Sequence, residues 1–162
     1  MEETSRLEML IGEDINKLKN AKILVFGLGG VGSYVVEALS RSFIGHLTIV
    51  DNDVVSESNI NRQLLAYHST IGKYKVDVSK QRILDINKNC EVITHKTFIL
   101  PENLSNFEFL DYDYIIDAID TVTSKLAIIE MAKNKNVPII SCMGTGNKFH
   151  PELLKIMDIQ KT

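Results

Sequence analysis

The sequence predicts an α/β protein with a Rossmann-like, doubly wound and mainly parallel sheet carrying helices on both faces, and three observations predict it. Short apolar runs, Lys22–Phe26, His46–Val50, Tyr114–Ile119 and Pro138–Cys142, each stop at a glycine, aspartate or cysteine. Segments with apolar residues at helical spacing separate them. A glycine cluster, Gly27–Gly32, lies between the first apolar run and the first such segment. Alternation of this kind gives a parallel sheet with crossover helices, because buried parallel strands read as continuous apolar runs.

Each element has its own signal. Lys22–Phe26 is a buried strand, and Val31, Val35, Ala38 and Leu39 then recur at helical spacing. His46–Val50 is the second strand and runs directly into Asp51; a polar loop follows. Val76, Ser79, Ile83 and Ile86 mark a helix that begins near Tyr74, and Glu91–Phe98 is rich in β-formers. Pro101–Leu110 reads as a short helix opening on proline. Tyr114–Ile119 is another strand. Ser124–Lys133 is a helix with Leu126, Ile129 and Ala132 or Lys133 expected inward, and Pro138–Cys142 is the last strand.

Composition sets the outer limits. A chain of 162 residues is one domain, 1–162, and is long enough to build a core without staples. The net charge of −3 excludes a uniformly basic nucleic-acid binder, although a local basic patch is compatible with it. Cys90 and Cys142 are the only cysteines and form no CxxC pair, which argues against a disulfide framework or a cysteine-rich zinc site and fits a reducing cytoplasm. Met1–Leu18 carries five acidic residues and no apolar h-region, and no apolar run is long enough for a membrane span. Neither a secretory signal nor a membrane anchor is expected.

The glycine turn GLGGVG points to a nucleotide. Gly27 allows a tight turn after the strand, Gly29 and Gly30 let a phosphate or adenosine approach the backbone, and Gly32 permits close packing of helix on strand. The N-terminus of the following helix offers N–H groups to an anion. Asp51, at the end of the second strand, is placed to accept ribose hydroxyls. Asp53, third in the run Asp51–Asp53, serves equally as a ligand-facing carboxylate or a turn cap.

Asn59, Arg62, Gln63 and Lys75 decide between a dinucleotide and a triphosphate. A dehydrogenase has no reason to aim Arg62 and Lys75 back at the glycine turn, whereas a triphosphate needs cations and amide donors. Asp120, after the strand Tyr114–Ile119, is placed to hold Mg²⁺ at the carboxyl end of the sheet, with Asp117 as the structural member of the two. The expected ligands are therefore ATP and Mg²⁺. Cys142 is a weak candidate nucleophile, and Cys90 reads as a core or loop thiol. His46, His68, His95 and His150 lack metal spacing. His68 and Lys148 lie in segments that could approach a substrate, and Met143–Lys148 could line an acceptor pocket.

Taken in order, GLGGVG, DND, SNINRQ, GKYK and IIDAID resemble the adenylating domain of the ThiF, MoeB and ubiquitin-activating E1 superfamily, over roughly Ser5–Thr162. Within it RLEMLIGED, DAIDTVTSK and SCMGTGNKFHP are most similar to the tRNA threonylcarbamoyladenosine dehydratases. The resemblance implies ATP-dependent adenylation of the threonine carboxylate of that nucleoside in tRNA, followed by ring closure. On the same basis Gly29, Gly30 and Gly32 cradle the nucleotide, Asp51 holds the ribose, Asn59, Arg62 and Lys75 bind phosphates with support from Gln63, and Asp120 coordinates Mg²⁺. Arg6 matches the arginine that the superfamily donates across a dimer, which implies a homodimer. The alternative is activation of a Gly-Gly-tailed sulfur-carrier protein in the manner of ThiF and MoeB. A nucleotide-binding module without activity is the third reading. The dehydratases continue beyond the point where this chain ends, so the resemblance implies that the C-terminal part of the family fold, with a basic surface for tRNA, is absent from it.

Overall fold

The computed structural model describes residues 3–144, 146 and 148–161. Two short helices, α1 (Ser5–Ile11) and α2 (Ile15–Asn20), precede β1 (Lys22–Phe26), and α3 (Gly32–Arg41) leads to β2 (His46–Val50). After a long excursion come α4 (Lys75–Ile86), β3 (Glu91–His95), β4 (Tyr114–Asp117), α5 (Val122–Asn134) and β5 (Ile139–Ser141). The five strands form one sheet in the order β3-β2-β1-β4-β5, and every pair is parallel. The expected architecture is therefore the observed one.

Strand alternation builds a core on each face of the sheet. Ile23 and Val25 of β1 and Leu47 and Ile49 of β2 point to one side, where they pack with Val36 of α3 and Val76 and Ile83 of α4. Leu24 and Phe26 of β1 and Val50 of β2 point to the other, against Leu104, Phe107, Phe109 and the α5 residues Ile128 and Ala132. Because residues alternate with a period of two, each central strand must be apolar on both faces, which is why these runs read as continuous. Gly32 brings α3 onto the sheet: a Cβ there would overlap the carbonyl oxygen of Gly27.

Four expectations need correction. Pro101–Leu110 is not an α-helix but a 3-10 segment, Pro101–Asn106, and a further turn, Phe109–Asp111. The Asn103 side chain accepts from Leu100 N–H and donates to the Phe98 carbonyl, and such local bonds compete with helical ones. The inward face of α5 is Ser124, Lys125, Ile128 and Ala132, while Leu126 is exposed. On α3 the fully buried apolar residue is Val36; Val35 and Leu39 pack at the margin of the core and Ala38 faces solvent. β4 also stops at Asp117 rather than Ile119, since the Asp117 side chain accepts from the Ile119 N–H and turns the chain.

Candidate functional site

Sequential strands lie to opposite sides of the gap between β1 and β4, so the loops leaving these two strands diverge at the C-terminal edge of the sheet. Ligands of open α/β folds bind at such a switch point. A cleft of about 770 Å³ occupies it, lined by the glycine turn, Asp51–Asp53, Asn59, Arg62, Gln63, Lys75, Thr97–Ile99, Ala118–Thr121 and the segment after β5. That volume suits a nucleotide-sized ligand.

The glycine turn forms its floor. Gly27 has a φ of +89°, a conformation that disfavours side chains, and an added Cβ would lie 2.8 Å from the Ala118 carbonyl oxygen. At Gly29 an added Cβ would meet nothing within 4 Å, so the cleft side of the turn is open. Gly30 sits under the aliphatic part of Arg62, 3.7 Å from where its Cβ would be.

Asp51 is fixed from two directions. One carboxylate oxygen accepts from Leu28 N–H at 2.7 Å and the other from Asp53 N–H at 2.8 Å. Each oxygen keeps a lone pair for a further donor. Burial raises the pKa of this carboxyl above the ordinary aspartate value, and the two N–H groups only partly offset it. A ligand hydroxyl donating to the charged form would relieve that cost.

The excursion between β2 and α4 folds back on itself, which brings distant residues to one rim. A bridge pairs Val54 with Tyr74, Lys75 N–H donates to the Asp53 carbonyl, and Leu64 N–H donates to Ser33 Oγ at the start of α3. Lys75 is buried, and its ammonium meets Asp53 at 2.7 Å. Arg62 donates to the Ser58 carbonyl and to the Asn61 side chain, and it has no carboxylate partner among the described residues. Asn59 is held by Ser56 N–H on its Oδ1. Gln63 is 6% exposed, and its Oε1 has no hydrogen-bond partner among the described residues. A buried amide left unsatisfied at a cleft wall marks a place where a ligand or water completes the bonding.

Across the cleft, Asp120 stands exposed in the loop after β4. Among the described residues no group of three His, Cys, Asp or Glu side chains could by itself hold a metal ion. A Mg²⁺ ion there would take Asp120 plus phosphate oxygens and water, the usual way this ion is held. Asp117 is fully buried and paired with Lys125, which makes it the structural carboxylate of the two. Met143, Gly144 and Gly146 line the cleft, whereas Thr145 and Asn147 of the proposed acceptor segment lie outside the described residues.

Arg6 lies elsewhere. It is exposed on α1, which is tied to α2 through Lys19 and Glu8, and it does not border the cleft. His68 and Lys148 are also exposed and outside it. Cys142 borders the cleft with its thiol on the Met143 carbonyl, and burial pushes the Cys90 thiol up to about 11, as expected of an inert core cysteine. No helix is long and apolar enough to cross a membrane among the described residues. The residues that sequence reasoning passed over are Lys125, Ser124 and Ser141. A lysine one turn into a helix looks like a solvated charge, and only its separation of eight residues from Asp117 hinted at a pair.

Comparison with known proteins places these features in a family. The model of the ThiF family matches residues 4–154. The tRNA threonylcarbamoyladenosine dehydratase of Bacillus subtilis is 46% identical over 98% of this chain and 63% of its own length. Its counterpart in Escherichia coli is 38% identical over 94% of this chain and 58% of its own length. The crystal structure of the E. coli enzyme in complex with ATP superposes with a TM-score of 0.95 at 35% identity, covering 99% of this chain and 66% of that one. A yeast adenylyltransferase and sulfurtransferase from Saccharomyces cerevisiae is 33% identical over 88% of this chain and 32% of its own length. The chain thus spans about three fifths of the length of the dehydratases it matches.

Proposed function

Because the chain belongs to the ThiF family, we propose that it forms the ATP-binding domain of an adenylating enzyme whose substrate is the threonine carboxylate of threonylcarbamoyladenosine in tRNA. The observation that carries the reading is the rim of the cleft. An arginine without a carboxylate partner, a buried lysine and an unsatisfied buried amide face an open glycine turn beside Asp51. Cations and amide groups in that arrangement suit a triphosphate and have no use in hydride transfer.

The residues divide the work. Gly29 and Gly30 leave room for the nucleotide, and the N-terminal end of α3 faces its phosphates. Asp51 accepts ribose hydroxyls, with Asp53 beside it. Arg62, Asn59 and Lys75 hold the phosphates, and Gln63 completes its bonding on the same ligand. When the substrate carboxylate attacks the α-phosphorus, pyrophosphate leaves, and Arg62 and Lys75 neutralise the charge that accumulates on the leaving group. Mg²⁺ held by Asp120 would supply further charge neutralisation. Within the acyl-adenylate a nitrogen of the same modified group displaces AMP, so closure is intramolecular and needs no covalent enzyme intermediate.

Two parts of the reading reach beyond one chain. Arg6 lies outside its own cleft, and on the resemblance of the N-terminal segment to the superfamily it serves the ATP of a second copy in a homodimer. The activity is that of a cytoplasmic protein acting on tRNA. Nucleoside mass spectrometry of threonylcarbamoyl-modified tRNA incubated with full-length protein, ATP and Mg²⁺ tests it. The expected product is the cyclised nucleoside, lighter by one water; its absence contradicts the proposal. The yeast adenylyltransferase and sulfurtransferase relative favours a second reading, adenylation of a Gly-Gly-tailed carrier protein. Adenylation of such a partner in place of tRNA would establish that reading instead.

A further inference from the structure

We infer that the buried pair Asp117 and Lys125 is a positioning unit for the acceptor half of the cleft, holding the Asp120 loop and the segment after β5 in one arrangement; the catalytic part of this inference rests on the adenylation reading above.

Lys125 is only 6% exposed, and lysines are seldom so buried without a full set of partners. Its ammonium has three protons and three acceptors. It donates to Asp117 Oδ2 at 2.7 Å, to the Cys142 carbonyl at 2.9 Å and to Ser141 Oγ at 3.2 Å. Asp117 spends its remaining capacity on the same two segments. Its Oδ1 accepts from Ile119 N–H at 3.2 Å, its backbone carbonyl accepts from Cys142 N–H at 2.8 Å, and Ser141 Oγ donates to its Oδ2. The neighbouring Ser124 donates to the Ile99 carbonyl at 2.6 Å and so ties down a third cleft wall, Thr97–Ile99.

The first turn of α5 therefore anchors every wall that faces the glycine turn, Asp51, Arg62 and Lys75. Core stability alone does not call for this arrangement, since a buried ion pair is often no more stable than apolar residues of the same volume. What the pair supplies is a fixed geometry. The bonds of Lys125 and Ser124 join α5 to the ends of β4 and β5 and to the Ile99 loop, and those of Asp117 join the end of β4 to β5 and to its own following loop. The nucleotide-binding side of the cleft is built on β1, β2 and α4, and none of the pair's side-chain bonds given above is made to those elements. Lys125 is thus a positioning residue that acts through Asp120 and the Cys142–Gly144 segment.

The double substitution Asp117→Asn with Lys125→Met removes both charges together and leaves no unpaired ion, and Ser141→Ala is a milder variant that removes one hydroxyl. In the full-length protein the double variant should raise amide exchange at residues 118–121 and 142–144 by about tenfold or more, with exchange in β1 unchanged. Its affinity for ATP without divalent cation should stay within about twofold, while kcat for AMP formation falls roughly tenfold to a hundredfold, the cost of slight misplacement. Ser141→Ala should move the same readouts in the same direction by a smaller factor, and it decides the matter if the double variant does not fold. Unchanged exchange in both loops overturns the inference, as does a loss of ATP affinity equal to the loss in kcat. Exchange and ATP affinity need no turnover. A wild-type protein that forms no AMP from modified tRNA would therefore sink the proposed function and leave the loop result standing.

Discussion

Lys75 and Asp53 are joined by a 2.7 Å ion pair across the rim of the cleft, and the two side chains differ sharply in environment, 5% exposed for the lysine and 57% for the aspartate. Water screens the carboxylate, so the pair contributes little to stability. Its effect is to hold a buried ammonium at the rim of the cleft, where the proposed function puts the phosphate oxygens. Lys75→Met should therefore leave the apo protein within about 1 kcal/mol of wild type, because an apolar side chain of similar length replaces a buried charge. ATP affinity should fall by about 1.5–3 kcal/mol, the usual loss for a charge-assisted bond. Chemical denaturation and calorimetric titration measure the two quantities.

Arg62 gives a complementary case. It is exposed, and its guanidinium bonds the Ser58 carbonyl and the Asn61 side chain, so Arg62→Ala should not change the melting temperature measurably. Loss of a phosphate contact should cost about 1.5–3 kcal/mol in ATP binding. Full ATP affinity in the folded variant contradicts its role.

The glycine turn separates stability from binding within six residues. A Cβ at Gly32 would overlap the Gly27 carbonyl, so Gly32→Ala should destabilise the fold by several kcal/mol or prevent folding. At Gly29 the same Cβ meets nothing, and Gly29→Ala should fold normally yet bind ATP more weakly, since the methyl group projects into the cleft. Thermal melts with and without ATP distinguish the two outcomes.

Asp51 predicts a pH signature. Burial raises its folded-state pKa above the unfolded value, so between those values the native protein binds more protons than the unfolded chain. This group alone therefore lowers stability as pH rises through the window, which opens at the ordinary aspartate value of about 4. Asp51→Asn should remove that component of the slope in urea unfolding measured across the same range. In the proposed function ribose hydroxyls donate to the charged form of Asp51, so ATP binding should release protons and weaken as pH falls into this window. Proton uptake on binding contradicts the assignment of Asp51 to the ribose.

Much of this was legible in the sequence because the governing constraints are local. The glycine turn, the apolar runs of β1 and β2 and the aspartate ending β2 are each dictated by neighbouring residues, and they predict the sheet and the nucleotide cleft. Lys125 was not legible, since its meaning depends on Asp117, Ser141 and Cys142, which only the folded sheet brings together. For the same reason the inward face of α5 was misassigned: hydrophobicity favoured Leu126, but the position facing the strand ends carries the lysine. The pairing of Lys75 with Asp53 and the unsatisfied Gln63 amide likewise arise from an excursion that returns on itself, which periodicity does not encode.

Selectivity among nucleotides follows from the rim. Calorimetric titration should give binding of ATP with Mg²⁺ and little affinity for NAD, because the cations Arg62 and Lys75 that line the cleft suit a triphosphate rather than a second nucleoside. Equal or tighter binding of NAD contradicts a triphosphate site.

The most direct measurement of the central claim identifies the nucleotide products when full-length protein meets threonylcarbamoyl-modified tRNA, ATP and Mg²⁺. Carboxylate activation by adenylation predicts AMP and pyrophosphate, formed in equal amounts with the dehydrated nucleoside and lost in Arg62→Ala. ADP and phosphate, or dehydrated nucleoside without nucleotide consumption, would contradict it.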